Sequence, residues 1–275
     1  MTGSHWKHPH LGSDSAFAGA LENIPLEIAN NSDWSVYFND FTNIDNDYVT
    51  TTDWSLTQVS AGGSASVLVD AGTADIGVLR LDCPADEDGP ILQYDGSGAA
   101  GTSPLGVTPA AAVAGTSIAS DAVFGARFRV LDVSAQGIFV GLAELNGSSA
   151  VIATPEGAIT SDTHIGFSKT DADVGSLTFT ASGDADTTAD TTTGVATLTD
   201  SSWIEVACRA TGVNRARGYV RLPGQNTGWK QVADVAMTTD WDAQMLITLA
   251  NIGAGTGDDL DIDYVWLAVR RELTA

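Results

Sequence analysis

From Trp34 onward, apolar and polar positions alternate in short runs closed by Gly, Asp or Pro. The runs are WSVYFNDF, WSLTQVS, ASVLVD, IGVLRLDC and PILQYD. AVFGARFRVLDV, GIFVGLAEL, SAVIAT, HIGFSKT and GSLTFTAS follow. The last five are SWIEVACRAT, RGYVRL, WKQVADV, MLITLAN and LDIDYVWLAVRREL. β-Branched and aromatic residues at this spacing, punctuated by turn formers, predict about fifteen strands. No long helical period competes with them. Regular short strands of this kind point to a sandwich or barrel.

The period of two also assigns faces. In FGARFRVLDV, Phe124, Ala126, Phe128 and Val130 fall on one side, and Gly125, Arg127, Arg129 and Leu131 on the other. In DIDYVWLAV, Ile262, Tyr264, Trp266 and Ala268 alternate with Asp263, Val265, Leu267 and Val269. Both sets are largely apolar, which predicts a central strand.

Three segments break the pattern. Residues 1–32 mix Gly, Pro, Ser and Asn with isolated apolar residues and read as an arm; SDSAFAGALEN could form a short helix there, stopped by Pro25. Residues 96–122 form a long Gly/Ala/Ser/Thr loop, of the kind that is functional or flexible in a compact domain. The Asp/Thr run 182–194 is expected to tip a hairpin. Residues 33–275 then make one sandwich, a size that all-β units reach. The repeated tetrapeptide TTDW, at 51–54 and 238–241, suggests two strands entered in the same way, each with a buried Trp.

Charge changes the functional picture more than length does. Thirty-five acidic residues face 12 basic ones, a net charge of -23. Such a chain repels nucleic acid and anionic membranes, and stays soluble by self-repulsion. The excess of Asp with almost no Lys suits a high-salt environment. No apolar run approaches the ~20 residues of a membrane-spanning helix. The N-terminus lacks the pattern of a signal peptide, so synthesis without export is expected. Cys83 and Cys208 are too few for a disulfide framework and lie in apolar runs, so buried free thiols are the expectation.

Candidate chemistry is sparse. GSGAAG, at 96–101, matches a dinucleotide fingerprint and has Asp121 downstream, but Pro104 and Pro109 interrupt the helix that the motif requires. No G-x-S-x-G elbow occurs. His164, the single histidine outside the arm, begins a strand-like run and reads as structural. Asp259, Asp261 and Asp263 alternate along one strand, and D-x-D pairs occur at 45/47, 86/88, 171/173 and 184/186. None continues into a calcium loop, and turn-forming Asp explains them. No cofactor and no metal site is assigned. His5, His8 and His10 could offer imidazoles to a metal, but an arm with Gly3, Pro9 and Gly12 gives no rigid scaffold. The better reading is an arm that orders on a partner, with His5, Trp6, His8, His10 and Phe17 as contacts and Trp6 as the apolar anchor. Core packing is the default for the tryptophans of the strands. Trp229, after the turn in GQNTGWKQ, is the best candidate for exposure and for stacking on a sugar.

Taken in order, AVFGARFRVLDVSAQGIFVGLAEL, WIEVACRATGVNRARGYVRLPGQNTGWKQV and DLDIDYVWLAV resemble the concanavalin-A-like jelly roll of lectins and glucanases, over roughly residues 34–272. The resemblance implies two packed antiparallel sheets. The E-x-D-x-E strand of catalytic acids found in the glucanase branch is missing, as is the metal loop of legume lectins, which argues against a glycosidase. The acidic Thr/Ala/Gly texture with an unsignalled arm is also similar to structural proteins of tailed bacteriophages that decorate or cement the capsid exterior. The expected function is therefore non-enzymatic, in the virion, on the major capsid protein. A homo-oligomer is expected, a trimer by the threefold axes of icosahedral shells. A lectin-like carbohydrate-binding module, with surface glycans as partners, is the first alternative. A polysaccharide hydrolase with an unrecognised carboxylate pair is the second.

Overall fold

The computed structural model describes residues 34–41, 54–59, 66–69, 77–83, 88–94, 122–144, 152, 159, 163–183, 189–211, 214–222, 228–238, 245–255 and 257–270. The arm, nearly all of the 96–122 loop and the centre of the Asp/Thr run lie outside them. The described chain is all β, in two antiparallel sheets. The strands are β1 (Trp34–Asn39), β2 (Trp54–Val59), β3 (Ser66–Val69), β4 (Leu79–Asp82), β5 (Gly89–Tyr94), β6 (Ala122–Val130), β7 (Gln136–Glu144) and β8 (His164–Lys169). They continue as β9 (Ser176–Ser182), β10 (Asp190–Thr197), β11 (Ile204–Thr211), β12 (Arg215–Arg221), β13 (Lys230–Ala236), β14 (Met245–Gly253) and β15 (Leu260–Arg270).

The eight-stranded sheet runs β13-β12-β11-β6-β15-β4-β3, with β1 beside the C-terminal part of β15. The seven-stranded sheet runs β10-β9-β8-β7-β14-β5-β2. The central place predicted for β15 is observed. Its alternation is not the one the sequence suggests. The register with β6 shifts between Ile262 and Tyr264, so Asp263 is an extra residue there. Ile262, Val265 and Leu267 therefore share the core, while Tyr264, Trp266 and Ala268 move to the outer face.

Between the sheets lies the main core, with Phe124, Phe128, Phe167, Phe179, Leu249 and Leu267 buried. Phe167 and Phe179 meet edge to face at 5.3 Å. One end of this layer is polar. The Asn251 amide of β14 donates to Leu81 O at 2.9 Å and Asp258 O at 2.8 Å, and Gln136 Nε2 donates to Asn251 Oδ1 at 2.8 Å. Asn251 thus ties β14 to β4 in the other sheet. Beside it, the buried Lys169 ammonium donates to Gln136 O at 2.8 Å and Thr170 O at 2.7 Å. Burial holds its pKa below the usual lysine value.

Trp54 opens β2 as a buried ring, as the first TTDW copy suggests; Trp241 of the second copy is outside the described residues. The Asp/Thr run does join two hairpin strands, but 190–194 already belongs to β10. Of SAVIAT, only Ile152 is described; it is buried in a bend. Cys83 and Cys208 are free and buried.

Candidate functional site

The outer face of the seven-stranded sheet is closed by the chain itself. Ile91, Phe139, Ala143, Ala250 and Ile252 are buried there with Ile152, and Ile159 packs against them. His164 is buried on the same side, 2.9 Å from Thr180 Oγ1 and edge-on to Phe139. This places it in a structural role.

The outer face of the eight-stranded sheet is different. Apolar residues of β4, β6, β11 and β12 point into the core, so the alternate positions point outward. Those positions carry arginine: Arg80, Arg127, Arg129, Arg209, Arg215, Arg217 and Arg221, with Arg270 on β15. Eight of the chain's nine arginines thus lie on one side of one sheet. Five carboxylates share the strands there, Asp82, Glu205, Asp234, Asp261 and Asp263. Counted over the described strands, eight arginines against five carboxylates make +3 on this face in a chain of -23, and Asp259, just before β15, also pairs with Arg80 at 3.6 Å.

Cross-strand register arranges the groups in rows. In the first row Asp261, fully buried, takes Arg80 Nε at 2.6 Å and Arg80 Nη2 at 2.9 Å on one side, and Arg129 Nε at 2.9 Å on the other. In the next, Arg221, Glu205, Arg127 and Tyr264 follow one another across β12, β11, β6 and β15. Arg221 pairs with Glu205, and Arg127 Nη1 donates to Asp263 Oδ2 at 2.6 Å. A third row, Tyr219, Ala207, Gly125, Trp266 and Phe38, is small at its centre. A Cβ on Gly125 would sit 2.3 Å from the Trp266 ring, so only glycine lets the indole lie flat there. The fourth row places Arg209 directly opposite Arg217. Asp234 reaches Arg217 at 3.4 Å, but its closer bonds are to Arg215, at 2.7 and 2.8 Å. Those bonds to Arg215 hold the Asp234 carboxyl below its ordinary pKa.

Aromatic rings form the second element of the face. Trp203 lies under two guanidiniums, Arg127 at 4.8 Å and Arg129 at 4.6 Å. Arg221 lies 5.2 Å over Trp229. Trp229, the sequence-derived candidate for sugar stacking, is half-buried, and a guanidinium already lies over its ring. Phe38 stacks on Tyr264 at 5.8 Å. Several donors in this layer are buried without an acceptor, namely Arg127 Nε, Tyr264 OH and Trp266 Nε1.

The strand alternation puts Arg127 and Arg129 on one face, but no local window assembles the array. The signal was available: ARFR, CRA, RARGYVR and LRL all put Arg between core positions. His5, Trp6, His8, His10 and Phe17 lie outside the described residues. Among the described residues, no group of three His, Cys, Asp or Glu side chains converges as a metal site would need. Of the alternating acids, Asp259 accepts the Cys83 backbone N–H at 3.1 Å, and Asp261 and Asp263 bind arginine.

No protein-family model matches the chain, and no characterised protein matches it by sequence. Solved structures do match in fold. One is a protein of unknown function, SO2946, from Shewanella oneidensis MR-1: 13% identity, 97% of this chain and 98% of that one, TM-score 0.56. Peanut lectin matches at 10% identity over 86% of this chain and 97% of its own, TM-score 0.53. The carbohydrate recognition domain of Emp46p, in a potassium-bound form, matches at 8% identity over 83% and 94%, TM-score 0.50. The chain therefore has the concanavalin-A-like jelly-roll fold. At these identities the likeness reaches the fold alone.

Proposed function

We propose that the chain is a non-enzymatic structural protein carried on the exterior of a viral capsid, of bacteriophage type, where it binds rather than transforms. One observation supports binding most: the carboxylates Asp261, Asp263, Glu205 and Asp234 of the arginine face are each engaged by a guanidinium. A polysaccharide hydrolase of the usual kind needs two carboxyl groups facing the scissile bond across roughly 5–10 Å. Here these acids serve to fix arginines. The exterior setting rests on charge, because a subunit at -23 is repelled by packaged nucleic acid and keeps coated particles apart.

Attachment is assigned to residues 1–32, whose isolated apolar residues gain ordering energy on a partner such as the major capsid protein. A homotrimer fits the threefold positions of a shell. The test is co-sedimentation of purified protein with capsids lacking it. The full chain should pellet with them, and the chain lacking residues 1–32 should stay in the supernatant with its β-sheet spectrum intact. Normal co-sedimentation of the truncated chain would remove the arm from this account.

The arginine and tryptophan face of a lectin-type sandwich favours a second reading, a glycan-binding module. Glycan-array binding lost in Trp229→Ala would support it over a purely structural role.

A further inference from the structure

We propose that the outer face of the eight-stranded sheet holds one small monovalent anion, of the chloride or bromide class, between Arg127, Tyr264 and Trp266. The site is separate from the capsid and glycan readings above and rests on neither.

The first observation is a set of donors without acceptors. Among the described residues, Arg127 Nε, Tyr264 OH and Trp266 Nε1 are buried side-chain donors with no hydrogen-bond partner. Trp266 is fully buried and Tyr264 is 6% exposed. A buried donor left unpaired gives up its hydration for no return, so three on one patch call for an acceptor from outside the chain.

The second observation is their placement. Tyr264 stands directly opposite Arg127 across β15 and β6, and Trp266 stands opposite Gly125, one row on. A strand spacing of about 5 Å and a two-residue step of about 7 Å gather the three side chains around one spot. The indole cannot turn away to another acceptor. Its Cε2, Cζ2 and Nε1 atoms lie 2.3, 2.5 and 2.5 Å from where a Gly125 Cβ would stand, so the ring is laid on the β6 backbone. The Tyr264 ring is held in its turn against Phe38. Burial, and then the Glu205 carboxylate, raise the Tyr264 pKa above its ordinary value, so the hydroxyl keeps the proton it offers.

The chemistry of the spot selects the ligand. Its carboxylates are already engaged: Asp263 accepts from Arg127 Nη1 at 2.6 Å, and Glu205 pairs with Arg221. A water accepts only some of the bonds on offer and brings protons that need acceptors of their own. A halide accepts from all three donors, donates nothing, and is drawn by the guanidinium. Burial sets the size. Val123, Ala207 and Trp266 are covered, which leaves no open surface for a polymer or a bulky oxyanion. Arg127, with 31% of its side chain exposed, marks the way in. Bound there, the ion ties β6 to β15 near the centre of the sheet.

The experiment melts the full chain in sodium chloride and in sodium gluconate at equal ionic strength. Chloride should raise the melting temperature saturably, by about 3–6 °C more than gluconate at roughly ten times its dissociation constant. Sodium bromide should act as chloride does. Tyr264→Phe keeps the ring and removes one donor. In gluconate it should melt no lower than the wild type, because an unpaired buried hydroxyl is gone, and it should need about tenfold more chloride for the same shift. Trp266→Phe should also weaken the chloride effect; if it does not fold, Tyr264→Phe is read alone. Tyr219→Phe, at a half-buried tyrosine of the same face, should leave the chloride effect unchanged. Crystals grown in bromide should show an anomalous peak beside Arg127 Nε, Tyr264 OH and Trp266 Nε1. Equal melting in chloride and gluconate, a chloride response unchanged in folded Tyr264→Phe, or no bromide at this spot would each overturn the proposal and assign the place to water.

Discussion

Asp261→Asn removes the charge at the centre of the first row of the arginine face while keeping the side chain's shape. The carboxylate is fully buried, and the two arginines it holds keep only 21% and 18% of their side-chain surface exposed. Removing one partner of a buried ion pair costs about 3–5 kcal/mol, because the remaining charge stays desolvated. Here the guanidiniums retain some contact with water, and the amide oxygen can still accept one bond. We therefore expect a loss of about 3 kcal/mol, at the low end of that range. For a domain of this size that is a fall in melting temperature of roughly 6–12 °C. Urea denaturation gives the free energy and calorimetry the temperature. A double-mutant cycle with Arg129→Met isolates the pair, since the combined loss should be well below the sum of the single losses. Asp234→Asn, at the exposed pairs with Arg215 and Arg217, serves as the contrast and should leave the midpoint nearly unchanged. A loss under about 1 kcal/mol for Asp261→Asn, with additive behaviour in the cycle, would refute the view that this carboxylate anchors the face.

Three further outcomes follow from the packing. Gly125→Val places a branched side chain where the Trp266 ring lies, so it should cost about 1–3 kcal/mol and shift tryptophan fluorescence, both readable in one urea titration. Burial raises the Asp258 pKa, so the folded state holds that proton to higher pH than the unfolded chain does. Its contribution to stability is therefore present in acid and is lost as pH rises from the ordinary carboxylate value of about 3.9 through the raised folded value. Urea midpoints across this window should fall less in Asp258→Asn than in the wild type. Burial also pushes the Cys83 thiol up to about 12 and raises that of Cys208. Neither should react with a disulfide reagent in the native protein, and both should react in denaturant.

The strand pattern was legible because most strands face a core on at least one side. Phe124, Ala126 and Phe128 alternate cleanly with Arg127 and Arg129, and that contrast alone assigns the two faces of β6. β10 escaped because DTTTGVAT is an edge strand paired with β9 in which only Val195 and Ala196 pack against the core, too few to show as an apolar face. In β15 the alternation was read straight through Asp263. A bulge reverses every later side chain, and nothing in a strand apolar on both faces reveals it. The arginine face was missed for a further reason. Each Arg taken alone reads as a solvated position, and only the register of β12, β11, β6 and β15 brings them together. Such long-range pairing is not encoded in any local window.

The proposed place of this sandwich is the outside of a virus particle. Quantitative mass spectrometry of purified particles, before and after protease treatment of intact shells, tests it. The chain should be present at a copy number in fixed ratio to the major capsid protein, with its peptides removed by protease while those of internal proteins persist. Finding it only in the lysate, or protected inside the shell with the packaged genome, would contradict the claim.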